Sequence, residues 1–137
     1  MKAFIDTSAL IKKYVVEKGS AEFDLHLEKI REIVTAPTYW IELNAAIQRK
    51  LREKVLSPSE ASRIQKEAEK DLDFLNRIVW NERLEIKAVE MVHKYSLKTL
   101  DGIQLAAGVL AKADIFITSD RNLYDFAAKE LNRAALV

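Results

Sequence analysis

Ala3-Phe4-Ile5-Asp6-Thr7-Ser8 is the stretch on which the reading of this sequence turns. Three apolar residues run into a carboxylate and two hydroxyls, and a helical pattern starts directly afterwards. That is how a buried strand brings an acid to the edge of a sheet. Open α/β sheets bind ligands outside the carboxyl ends of their strands, so Asp6 arrives where chemistry is usually done. Near the other end, Ile115-Phe116-Ile117-Thr118-Ser119-Asp120 repeats the arrangement. Two strands that each end in hydroxyls and an acid predict one shared site.

Between these two strands, short apolar runs alternate with longer helical patterns. Ala9 to Val16 reads as a first helix, closed by Gly19, and Ser20 can cap a second through Phe23, Leu27 and Ile30. Ile33 to Ala36 is strand-like and stops at Pro37. Thr38 then caps a long helix whose apolar face carries Tyr39, Trp40, Leu43, Ile47 and Leu51. Ser57-Pro58-Ser59-Glu60 marks a new helix start: a capping serine, a proline at the first helical position and a glutamate that completes a capping box. The charged helix that follows reaches Asp73. Arg77 to Trp80 is a further strand candidate, and a helix through Val89, Val92 and Tyr95 comes next. Leu100 to Ala113 is helical, Asp114 to Ser119 is a strand, Asp120 to Leu131 is helical, and Ala134 to Val137 can form a last strand. The alternation predicts a short, mostly parallel sheet with helices on both faces, a three-layer α/β/α sandwich in one domain over residues 1–137.

Composition narrows the chemistry. The absence of cysteine excludes disulfides, thiolate metal sites and cysteine nucleophiles. Two histidines, His26 and His93, are too few for an imidazole zinc site and neither pairs with a serine and an acid as a hydrolase triad would. Both fall in helical patterns, where a structural or exposed place is expected, and Trp40 and Trp80 read as core. No apolar run approaches the ~20 residues that span a bilayer, and the first strand begins without a signal-like leader. No membrane association is expected, and the cytoplasm is the expected location. A formal net charge of +1 rules out broad electrostatic attraction to nucleic acid but leaves room for a local basic patch.

Four acids stand out. Asp6 and Asp120 follow strands, Asp101 opens a helix, and Glu42 lies one turn into the long helix with Ala45 and Ala46 beside it. The two alanines keep that helix face narrow enough for close approach. Oxygen ligands of this kind suit magnesium or manganese, and a divalent cation removes the repulsion between crowded carboxylates. Taken singly, Asp6, Asp101 and Asp120 are better explained as helix N-caps, and Glu42 can be read as the outer face of an amphipathic helix. Spacing alone leaves both explanations standing.

Four segments resemble the motifs of PIN-domain ribonucleases, in the order and placement found there. They are Asp6-Thr7-Ser8-Ala9-Leu10, Tyr39-Trp40-Ile41-Glu42-Leu43-Asn44-Ala45-Ala46, Leu100-Asp101-Gly102-Ile103-Gln104-Leu105-Ala106-Ala107 and Ile117-Thr118-Ser119-Asp120-Arg121-Asn122-Leu123. The likeness covers essentially the whole chain, and its length is most similar to the VapC-type toxins of prokaryotic toxin–antitoxin pairs. Gly102 stands where the family often has alanine, and the segment from Ser57 to Asn76 matches no motif.

The resemblance implies endonucleolytic hydrolysis of RNA phosphodiesters with Mg2+ or Mn2+, leaving a 5′-phosphate. It makes Asp6, Glu42, Asp101 and Asp120 the catalytic, metal-holding set, and it implies a homodimer and an antitoxin partner that covers the site. Ser8 and Thr118 are candidates for orienting the carboxylates by hydrogen bonds, and Ser119 for contact with water or phosphate. RNA needs cations along its backbone. Arg49, seven residues after Glu42 and so on the same helix face, and Arg121, directly after the fourth acid, are the substrate-binding candidates. Lys50 and Lys54 read instead as solvated cations that favour the helix dipole. A haloacid-type phosphatase would need an acid where Ser8 stands, and a receiver domain would need paired acids at the first strand end; neither is present. The reading of another class is a catalytically silent PIN-like module that binds protein or RNA.

Overall fold

The strand that carries Asp6 occupies the centre of the molecule. The computed structural model describes all residues, 1–137. Strand β1 (Lys2–Ile5) pairs in parallel with β2 (Glu32–Thr35) on one side and with β4 (Ile115–Thr118) on the other. Strand β3 (Leu75–Arg77) extends the sheet beyond β2, and β5 (Ala134–Leu136) extends it beyond β4. The order β3-β2-β1-β4-β5 is parallel throughout. The chain builds outward in one direction from β1 and then crosses to build in the other. The point of reversal, between β1 and β4, opens the crevice in which α/β sheets bind ligands.

The parity of the strands splits the core in two. Ala3 and Ile5 of β1, with Ile115 and Ile117 of β4, face a cluster that includes Leu10, Phe23, Tyr39, Leu43 and Ile64. That layer comprises α1 (Thr7–Leu10), α2 (Ser20–Leu27), α3 (Tyr39–Arg52) and α4 (Pro58–Asp71). Phe4 and Phe116 point the other way, stacked with ring centroids 4.9 Å apart, into a cluster with Leu84, Met91, Leu105 and Leu123. That layer comprises α5 (Glu82–Tyr95), α6 (Thr99–Leu110) and α7 (Arg121–Glu130). The result is the three-layer α/β/α sandwich expected from the alternation of elements.

Helix α6 is buried on nearly all sides from Gly102 to Gly108, and small residues make that possible. A Cβ on Gly108 would come within 2.5 Å of the Phe116 ring, so glycine lets the helix lie directly on the sheet. The capping box at Ser57 and Glu60 forms as the sequence reads, and each residue accepts from the other's backbone N–H.

Several elements differ from expectation. The first helix ends at Leu10 and passes into a 3-10 turn, Ile11–Lys13, instead of reaching Val16. The Val15-Val16 pair has low helix propensity, and Lys12, Lys13 and Tyr14 are drawn to partners elsewhere. Gly19, with φ of 88°, takes the N-cap place expected of Ser20. Thr38 caps nothing with its side chain. The third strand is Leu75–Arg77, not Arg77 to Trp80. Its partner gives out: after Ile78 N–H donates to Thr35 O, β2 has ended before Pro37. Trp80 therefore lies past the sheet and is 52% exposed, outside the core.

Candidate active site

Asp6 is fixed from three directions. It is 5% exposed, and its extended backbone turns the carboxylate into the crevice. Oδ1 accepts from Ser8 Oγ at 2.7 Å and from the Ala9 N–H at 3.1 Å, so the acid does cap α1. Oδ2 accepts from Thr118 Oγ1 at 2.8 Å across the β1–β4 junction. Ser8 Oγ also accepts from the Ser119 N–H at 3.0 Å, and Thr118 Oγ1 from the Asp120 N–H at 3.0 Å. Two hydroxyls thus join the carboxyl ends of both central strands around one carboxylate. Burial pushes the Asp6 carboxyl up to about 6 despite these donors, and the Glu42 charge adds to the rise.

Glu42 projects from the first turn of α3. Its Oε2 accepts from Thr38 Oγ1 and from Gln104 Nε2, both at 2.7 Å. Burial raises its pKa above the ordinary value, and the charge of Asp101 raises it further. Asp101 is the third residue of α6, whose N-cap is Lys98, so the capping explanation fails for this acid. Burial raises Asp101 as well, followed by the charge of Asp120. Asp120 is exposed and caps α7, with Oδ1 accepting from the Leu123 N–H at 3.1 Å.

Four elements far apart in sequence therefore bring their acids into electrostatic reach of one another: Asp6 with Glu42, Glu42 with Asp101, Asp101 with Asp120. The contact is pairwise, and no three of these side chains converge as a ready-made cation site. The donor set is all carboxylate oxygen, which suits a hard divalent cation. Thr38 and Gln104 hold Oε2 of Glu42, the Leu123 N–H holds Oδ1 of Asp120, and no hydrogen bond restrains Asp101. The hydroxyl of Ser119 and the amide oxygen of Gln104 are buried without partners beside them, while the Thr7 hydroxyl faces the Glu42 carboxylate. Buried polar atoms normally have a partner, so these two fit the rim of a hydrated ion or phosphate site.

An adjoining groove of about 610 Å³ takes in Glu42 alone of the four acids, with Thr7, Ser8, Ala45, Arg49 and Ser119 among its other lining residues. Arg49 is exposed on the same face of α3 as Glu42. Arg121 instead lines an adjoining depression, with its guanidinium over the Tyr124 ring. Lys50 is no freely solvated cation: it reaches Glu17 Oε2 at 3.0 Å. Lys54 is exposed. His26 is partly buried and His93 exposed. The sequence reading missed Gln104 and Thr38. Gln104 lies three residues after Asp101, and Thr38 four before Glu42, and helical spacing puts each on its acid's face.

A family model of the PIN domain matches residues 3–129. The chain belongs to the PIN-domain family. This PIN domain resembles a toxin–antitoxin complex chain from Klebsiella pneumoniae (21% identity, 86% of each chain covered, TM-score 0.65). It also resembles one from VapBC2 of Rickettsia felis bound to promoter DNA (14% identity, 100% and 99% covered, TM-score 0.69). FitAcB from Neisseria gonorrhoeae is similar at 11% identity, with 97% and 96% covered and a TM-score of 0.71. At these identities the likeness is one of fold. No curated protein sequence matches the PIN domain significantly.

Proposed function

We propose that this PIN domain is a Mg2+- or Mn2+-dependent endoribonuclease and the toxin of a toxin–antitoxin pair. The observation that carries the reading is the line of four acids at the switch point, with Asp6 anchored by hydroxyls from both central strands. Asp6 and Asp101, with Glu42 and Asp120, would hold the cation directly or through water. When bound, the cation polarises the phosphate and lowers the pKa of a water molecule. Ser8 and Thr118 keep the Asp6 carboxylate in one orientation, and Gln104 and Thr38 hold Oε2 of Glu42. Arg49 draws the RNA backbone along the groove.

The toxin assignment draws support from the neighbour in fold that is a chain of a toxin–antitoxin complex. A homodimer, an antitoxin over the groove and a cytoplasmic location belong to the same reading. No helix is long and apolar enough to cross a membrane. The pairwise spacing of the acids favours one competitor, a module that binds without cleaving. Incubation of single-stranded RNA with the protein in Mn2+ separates the two. Cleavage that stops in EDTA and in Asp101→Asn supports the nuclease; RNA retained but intact in every metal supports the module.

A further inference from the structure

The groove contains a buried lysine for which the proposed chemistry has no use. The Lys12 side chain is 5% exposed, and its Nζ donates to Glu17 Oε1 at 3.1 Å. The other Glu17 oxygen accepts from Lys50 Nζ, which α3 supplies eight residues after Glu42. One carboxylate thus holds two ammonium groups from different elements. Burying an ammonium is costly, and a single carboxylate would satisfy only one of them.

The loop is shaped to keep Glu17 in place. Its backbone N–H donates to Ser20 Oγ at 2.9 Å, and the chain turns at Gly19 with positive φ. A Cβ on Gly19 would lie 2.5 Å from the Val137 carbonyl carbon and 3.2 Å from Lys12 Cε, so only glycine lets the loop close over the lysine stem. Lys12 and Lys50 line the same groove as Ser8 and Glu42. Lys12 and Ser119 also form the wall shared with the neighbouring depression, which contains Lys18, Arg121 and one acid, Glu22. A strand seated at Glu42 would run along the groove wall to which these two ammonium groups belong.

We propose that Lys12 and Lys50, held side by side by Glu17, form a subsite for a backbone phosphate of the RNA flanking the one cleaved. Glu17 is a positioning residue in this arrangement. The subsite rests on the ribonuclease reading above.

The test is binding of a short fluorescein-labelled single-stranded RNA in EDTA over a range of KCl, with initial rates in Mn2+. Losing one phosphate contact on a single strand makes the slope of log K against log[salt] shallower by about 0.7. Lys12→Met should show that change, with KM raised about tenfold and kcat nearly unchanged, as expected for one charge-assisted contact. Lys12→Arg should keep the wild-type slope. Glu17→Gln makes the chain more positive yet should bind RNA more weakly, because the lysines are no longer held together. An unchanged slope in a Lys12→Met protein that melts and binds manganese like wild type overturns the subsite, as does tighter binding by Glu17→Gln. If Lys12→Met does not fold, Lys50→Met reads the same slope. Wild type that binds neither RNA nor manganese overturns the ribonuclease reading and the subsite together. Cleaving wild type with unaffected variant slopes overturns the subsite alone.

Discussion

At the scale of single residues, Asp6 combines burial with three hydrogen bonds, and the burial dominates. Its pKa in the fold, about 6, lies above the ordinary 3.8, so the folded chain keeps a proton that the unfolded chain has released. The stability this proton confers is fully present below pH ~4 and is lost as pH rises through about 6. The difference corresponds to roughly 3 kcal/mol. Urea melts in EDTA should show wild type losing stability between pH 4 and 7. Asp6→Asn should lose less over that range and be the more stable protein at pH 7.5, while RNA cleavage disappears. A variant with the wild-type pH slope would place the titration elsewhere, with Glu42 and Asp101, whose raised values act in the same direction, as the first alternatives. Gln104→Leu removes the donor to Glu42 and should cost about 1.5–3 kcal/mol in chemical denaturation, the range for a hydrogen bond to a charged group. The acids were visible in the sequence because each follows an apolar run or opens a helical one. Gln104 was not singled out, because its spacing from Asp101 gives its helix face but not the Glu42 carboxylate that it reaches on another element.

Elements are governed by close approaches that pattern alone does not reveal. Helices α5 and α6 form the most extensively packed helix pair, and Gly102 lies at their crossing. A Cβ there would stand 2.6 Å from Val92 Cγ2. Read in sequence, this glycine merely weakens a helix start; in the structure it lets α5 set the position of the turn that carries Asp101. Alanine would gain up to ~1 kcal/mol in helix propensity and lose about 1–3 kcal/mol to overpacking. Gly102→Ala should therefore be destabilised by about 1 kcal/mol, with reduced cleavage. In a Val92→Ala background the same change should become neutral or stabilising. An equal penalty in both backgrounds would exclude the Val92 clash as the cause. The capping box at Ser57, in contrast, was fully legible, because its partners are local in sequence. The third strand was displaced in the reading because its extent is set by where β2 ends, which is a property of the pairing and not of the segment.

The whole molecule is organised by the reversal of strand order at β1. That feature was legible in outline, since alternating short strands and helices dictate a parallel sheet, and a parallel sheet has its site at the carboxyl ends. What the sequence left open is how closely the acids meet, because they sit on four separate elements and like charges repel, a repulsion that a bound cation would offset. This has a consequence for stability. A cation that binds only the folded chain stabilises it by about 2.7 kcal/mol at a hundredfold excess over its dissociation constant. Manganese should accordingly raise the melting temperature by several degrees at pH 7.5. Because protons compete for Asp6, the increment should shrink as pH falls through about 6. Asp101→Asn should lose most of it at every pH, and Asp114→Asn, an exposed acid at the opposite end of β4, should keep it. An increment that is the same in all three proteins, or that does not change with pH, would mean that manganese binds elsewhere and that the four acids hold no cation in the absence of RNA.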